Sequence, residues 1–166
     1  MMKSWFLSIA AMALVAVSSV SPATASDYRE LEWKNLIPEG YTPPPVRSQA
    51  YYDMNPEAMG QPELNAPVVA ALDGQKVRIP GFVVQLQAED SKVTEFLLVP
   101  YEGACIHVPP PPPNQVLLVT YPEGYPIRQA FNPVWVEGTI KVERADGELA
   151  VVGYQLEAAT VTPYGG

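Results

Sequence analysis

The chain has 166 residues, with 10 basic against 18 acidic side chains and a formal net charge of −8. That length holds one core rather than two. The charge argues against nucleic acid and against anionic lipid, both of which are held by clustered lysine and arginine, and favours a cationic partner or a metal ion.

Residues 1–25 read as a secretory signal peptide. Lys3 supplies a short basic start, an apolar run follows from Trp5 to Val20, and Ala23-Thr24-Ala25 offers a small-x-small site with cleavage after Ala25. The uninterrupted apolar part is shorter than the roughly 20 residues that span a bilayer, and no cysteine stands directly after it to carry a lipid there. The expectation is a periplasmic or secreted protein, soluble and without membrane insertion once the leader is gone. Its loss removes Lys3 and leaves 9 − 18 = −9.

Residues 26–66 form an irregular, proline-rich segment. Leu31, Trp33, Leu36 and Ile37 are spaced for a helical turn that Pro38 ends. Between 41 and 61, Pro43-Pro44-Pro45, Tyr51-Tyr52 and Pro56 exclude a long helix and favour an extended segment pinned to the surface by its aromatics. The domain proper is then expected over 67–166. It opens with a short turn at 67–72, where Pro67 suits a first helical position, and Asp73-Gly74 stops it.

Strand texture begins at Lys76. Val77, Ile79, Gly81 and Val83 alternate with Arg78, Pro80, Phe82 and Val84, and both sets are apolar after Gly81. A strand with that pattern around a Pro-Gly bends and serves two sheets. Further strands are expected at 95–99, 104–108 and 115–121. Another, at 134–142, carries Val134, Val136, Gly138, Ile140 and Val142 in strict alternation, and 149–161 supplies the last one or two after a turn at Asp146-Gly147. Five or six short strands, two with a central glycine, predict an all-β fold, an OB-like Greek-key barrel, with a β-sandwich as the alternative.

Cys105 is the only cysteine and His107 the only histidine. If 104–108 is a strand, the two project from one face, where a thiolate and an imidazole make a partial site for zinc or copper. Glu95, Glu102, Met54, Met59 or a second chain would have to complete it. The same pair also reads as a thiol nucleophile with its base, or as a buried thiol beside a hydrogen-bonded histidine. After it come Pro109, Pro110, Pro111, Pro112 and Pro113, a polyproline II rod leading to Asn114 and Gln115. With Tyr101, and with Tyr121 and Tyr125 nearby, that rod is either a partner-docking wall or a rigid connection. The acidic pairs Glu89-Asp90 and Asp146/Glu148 lie in turn-like stretches and do not read as a catalytic dyad.

Three strings resemble one known family. They are residues 72–84 (LDGQKVRIPGFVV), 94–101 (TEFLLVPY) and 104–115 (ACIHVPPPPPNQ), and Trp33 to Pro38 adds to them. They are similar to the bacterial exported proteins grouped as domain-of-unknown-function family 3299, over nearly the whole mature chain. One departure is Gln85, where the pattern has proline. Some members are similar to proteins encoded beside an ATP-driven transporter and a histidine-rich exported protein connected with zinc uptake. The resemblance therefore implies an accessory role in metal import; the leading expectation is a non-catalytic protein, with a structural or protein-interaction barrel holding Cys105 in its core, or a thiol-dependent enzyme, as the alternatives. Its partner would be a component of the transporter or a periplasmic metal-binding protein, with zinc as the associated ion.

Overall fold

The computed structural model describes residues 27–165, so the expected leader lies outside the described residues. Nine short or long extended and helical elements carry the fold. Strand β1 (Arg29–Glu30) and helix α1 (Gln49–Met54) precede the long β2 (Lys76–Glu89), β3 (Lys92–Val99) and β4 (Leu117–Pro126). There follow β5 (Val134–Lys141), the short β6 (Ala145–Asp146) and β7 (Val151–Val152), and β8 (Tyr154–Pro163). The order β2-β3-β4-β8-β5 closes through a β2–β5 pairing into a five-stranded barrel, with β1 added on the outside. All barrel pairings are antiparallel except β4–β8. This is the expected OB-like arrangement, and closure rules out the sandwich.

The bend expected at Pro80-Gly81 is what permits closure. Residues 76–81 of β2 pair with β5, and residues 82–89 pair with β3. A Cβ on Gly81 would stand 2.8 Å from Leu98 Cγ and 2.9 Å from the Val99 carbonyl oxygen, so only glycine lets the chain cross there.

Alternation sorts the side chains into two cores. Val77, Ile79, Phe96, Leu98, Leu117 and Val119 point into the barrel with Tyr154 and Leu156. Val84, Leu97, Val99 and Val116 point outward, yet they are buried in a second cluster with Ala104, Ala150 and Val152. Burial on both faces explains why Phe96-Leu97-Leu98-Val99 and Val116-Leu117-Leu118-Val119 are unbroken apolar runs instead of alternating ones.

The segment before β2 wraps the barrel. The Leu31 amide donates to the Arg78 carbonyl (2.8 Å), and Trp33 Nε1 donates to the Pro80 carbonyl (2.7 Å). The turn expected near Trp33 is a single 3-10 turn (Trp33–Leu36) that ends before Pro38 and buries Leu36. The proline-rich stretch is not wholly extended, because α1 and a 3-10 turn (Pro56–Met59) fit between its prolines. Gln61 ties that stretch down. Its Nε2 donates to the carbonyls of Pro111 and Val151, and its Oε1 accepts from the Val151 amide. Before β2, the expected turn survives as a 3-10 turn (Ala70–Leu72).

Two strand expectations are corrected. Residues 104–108 form a tight turn bridged by Ala104 and Val108. The strand expected over 115–121 starts at Leu117 and runs on to Pro126, because Pro113–Gln115 is a 3-10 turn. Among the described residues no helix is long and apolar enough to cross a membrane.

Candidate functional site

The distinctive stretch of the sequence sits on the outer face of β2, β3 and β4. Gly103 adopts φ +81° and Cys105 φ +65°. That pair of left-handed residues closes a turn in which the Gly103 carbonyl accepts from the amides of Ile106, His107 and Val108 at 3.2, 2.8 and 3.2 Å. A left-handed φ on a non-glycine residue is strained by roughly 1–2 kcal/mol, and it turns Cys105 away from the direction a strand would give it. The thiol packs against the outer core with Phe82, Leu86, Tyr101 and Leu118. Ile106 and His107 are exposed at the tip.

Burial pushes the Cys105 thiol up to about 11. Tyr101 is pushed up to about 12, chiefly by burial and then by the nearby Cys105 and Tyr52. At pH 8 the folded thiol should alkylate on the order of a hundredfold more slowly than a free cysteine, because the thiolate is the reactive form. The rate should climb as pH rises towards 11. The sign for stability follows. Unfolded thiol and phenol ionise near 9 and 10, whereas the folded groups resist until about 11 and 12. Stability is therefore intact below about pH 9 and falls as pH rises beyond it. Iodoacetamide labelling followed by mass spectrometry, and urea titrations at several pH values, check both.

The residues expected to complete a zinc site are dispersed. Glu95 lies on β3, where it accepts from Gln87 Nε2 (3.2 Å). Met54 is 77% exposed on α1, and Met59 ends the 3-10 turn after it. Among the described residues no group of three or more His, Cys, Asp or Glu is arranged to hold a metal. The thiol lies in an apolar cluster that disfavours its ionised form, and His107 lines a cleft whose wall does not include Cys105.

His107 and Glu102 instead line a cleft of about 340 Å³ between the turn and the 127–131 loop. Phe82, Ile106, Ile127 and Phe131 supply apolar walls, and Cys105 is not among the lining residues. Ile106 is 62% exposed and Phe131 81%. Of these, Phe82, Ile127 and Phe131 were not singled out by sequence. The available signal was Phe131 itself, an aromatic in a polar turn just before Asn132-Pro133.

The proline rod occupies a different place. Pro109, Pro111, Pro112 and Pro113 are buried, as are Asn114 and Gln115. Asn114 Nδ2 donates to the Pro67 carbonyl (2.9 Å), and Gln115 Nε2 donates to the Trp33 carbonyl (3.0 Å). These two amides fasten the wrap to the barrel. Pro110 and Tyr101 keep some surface, in a smaller cleft of about 200 Å³ that Pro44, Pro45, Tyr51 and Tyr52 also line. The rod is thus one wall of a groove whose other wall is the chain's own N-terminal segment. Tyr121 and Tyr125 belong to the inner core instead.

The outer core has a consequence for ligands. In OB barrels, the face of the second and third strands and the loop between the fourth and fifth bind oligonucleotides or oligosaccharides. Here those strands are β3 and β4, and that loop is the β6–β7 hairpin. The hairpin lies back on Leu86, Leu97 and Leu118, leaving a space of only about 40 Å³.

No significant relative is found among curated proteins. The sequence profile of a family described as protein of unknown function (DUF3299) matches residues 33–163. A crystal structure of a DUF3299 family protein from Pseudomonas aeruginosa PAO1 is similar at 48% identity and a TM-score of 0.76, covering 82% of this chain and 96% of that chain. An OBody bound to hen egg-white lysozyme is a remote neighbour, at 13% identity and a TM-score of 0.37 over 57% of this chain and 86% of that chain. With its distinctive turn and proline rod inside the matched span, the chain belongs to the DUF3299 family of proteins of unknown function.

Proposed function

We propose that this protein is a non-catalytic, periplasmic accessory protein that works by recognising a polypeptide partner at the Ile106–Phe131 cleft. One observation carries the reading. A fold that buries even the OB ligand face leaves two large apolar side chains, Ile106 and Phe131, exposed on either side of a cleft. Exposed apolar groups around a concavity mark interaction sites. The raised thiol and the dispersed carboxylates speak for binding over nucleophilic chemistry. The connection with zinc import that the family resemblance implies would run through the partner, with no zinc held by Cys105 and His107.

The combined variant Ile106→Ser/Phe131→Ser tests this. Both side chains are largely in water, so stability should stay within about 0.5 kcal/mol of wild type by urea titration. The variant should nevertheless fail to restore whatever growth phenotype deletion of the gene produces. Full restoration by a stable variant would remove the cleft from the function.

A further inference from the structure

We infer that the segment bound in this cleft is an extended polypeptide carrying a large apolar side chain beside a lysine or arginine. The inference rests on the cleft being a partner site and adds the chemistry of its occupant.

Charge complementarity supplies the first argument. Glu102 is the only acidic or basic residue besides His107 on the cleft wall. It is exposed, and no ion pair with it is found among the described residues. The chain as a whole carries −8. An incoming acidic segment would meet like charge at Glu102 and at long range, with Arg128 in the facing loop as the one nearby cation, while a basic one is steered in and finds a carboxylate at the rim.

Continuity supplies the second. Phe82 lines this cleft and also a neighbouring groove of about 260 Å³ walled by Trp33, Pro80, Pro133 and Tyr164. The rings of that groove are already set. Trp33 is held by the Pro80 carbonyl at 2.7 Å, and Tyr164 packs on Trp135 with ring centroids 5.3 Å apart. Rings fixed before binding lose little freedom on contact. A chain lying across Phe82 reaches both depressions, and in the extended conformation alternate side chains share the face turned towards them.

The test is to pan a phage-displayed random dodecapeptide library on the reduced mature protein. The selected peptides are then measured by calorimetry against wild type, Phe131→Ala, Glu102→Gln and, as a remote control, Glu89→Gln. The expected peptides pair a large apolar residue with lysine or arginine. Their binding should weaken about thirtyfold in Phe131→Ala and roughly threefold to fivefold in Glu102→Gln, fall with added salt, and ignore Glu89→Gln. Acidic or uncharged peptides that need Phe131 but not Glu102 would overturn this inference and leave the partner site standing. Dimerisation of the protein itself, broken by Phe131→Ala, would overturn it by making a second copy the occupant. Peptides indifferent to Phe131, or no selected peptide at all, would overturn the inference and the site together.

Discussion

Replacing Gly138 with alanine should destabilise the protein by about 3 kcal/mol, the upper part of the range for overpacked interiors. Gly138 sits where β5 crosses β8 next to a register shift between Glu137 and Gly138. A Cβ there would lie 2.2 Å from the Glu157 carbonyl oxygen, 2.8 Å from Leu156 Cδ2 and 2.9 Å from Ala158 Cα. Two of those atoms are backbone, so no rotamer change relieves the contact, and the strands must separate at the β5–β8 seam of the barrel. The cost appears as a lower urea midpoint with an unchanged slope, and as a loss of roughly 10 °C in Tm for a domain of this size. A loss below about 1 kcal/mol would mean that the barrel is not closed as tightly as described.

Tyr154→Phe removes one oxygen and should cost about 2–3 kcal/mol. Tyr154 is fully buried, and its hydroxyl accepts from the Val69 amide (2.7 Å) and donates to the Leu36 carbonyl (2.8 Å). Phenylalanine fills nearly the same volume, so little packing is lost. What remains is an amide on half-buried Val69 and a carbonyl on fully buried Leu36 without their partner, at about 1–3 kcal/mol for each that stays shielded from water. Both belong to the segment wrapped around the barrel. Hydrogen exchange should therefore show the Val69 amide losing protection while the amides of β3 keep theirs relative to the new global stability. Uniform loss across all strands, with no added change at Val69, would mean that the hydroxyl does not fasten the wrap.

Much of this architecture is legible in the residues. The Pro80-Gly81 step marks the bend of β2, and Val134 to Ile140 alternates as a strand with one face inside must. The run from Phe96 to Val99 announces burial on both sides, although nothing in the run says what covers the outer side. That cover is the β6–β7 hairpin and the turn after Gly103, which are long-range contacts that local pattern does not encode. Ala104-Cys105-Ile106-His107-Val108 illustrates the converse error. Its composition suits a strand, and only the left-handed backbone at Gly103 and Cys105 converts it into a turn. That change packs Cys105 against the outer core and puts His107 on the wall of the cleft. The proline rod was readable as rigid, but its burial depends on Gln61 and on the prolines of a segment some 50 residues earlier. Phe131 is not legible as a site residue because a single loop aromatic has no periodicity to reveal it.

Site-specific photo-crosslinking in living cells tests the partner-facing cleft most directly. A photoactivatable amino acid is placed at Phe131 in one variant and at Ala159, on the exposed part of β8, in another. The cleft account predicts one discrete adduct from position 131 that is absent from position 159 and abolished by adding Ile106→Ser. Equal adducts from both positions, or none from position 131 in cells that express the folded protein, would contradict it.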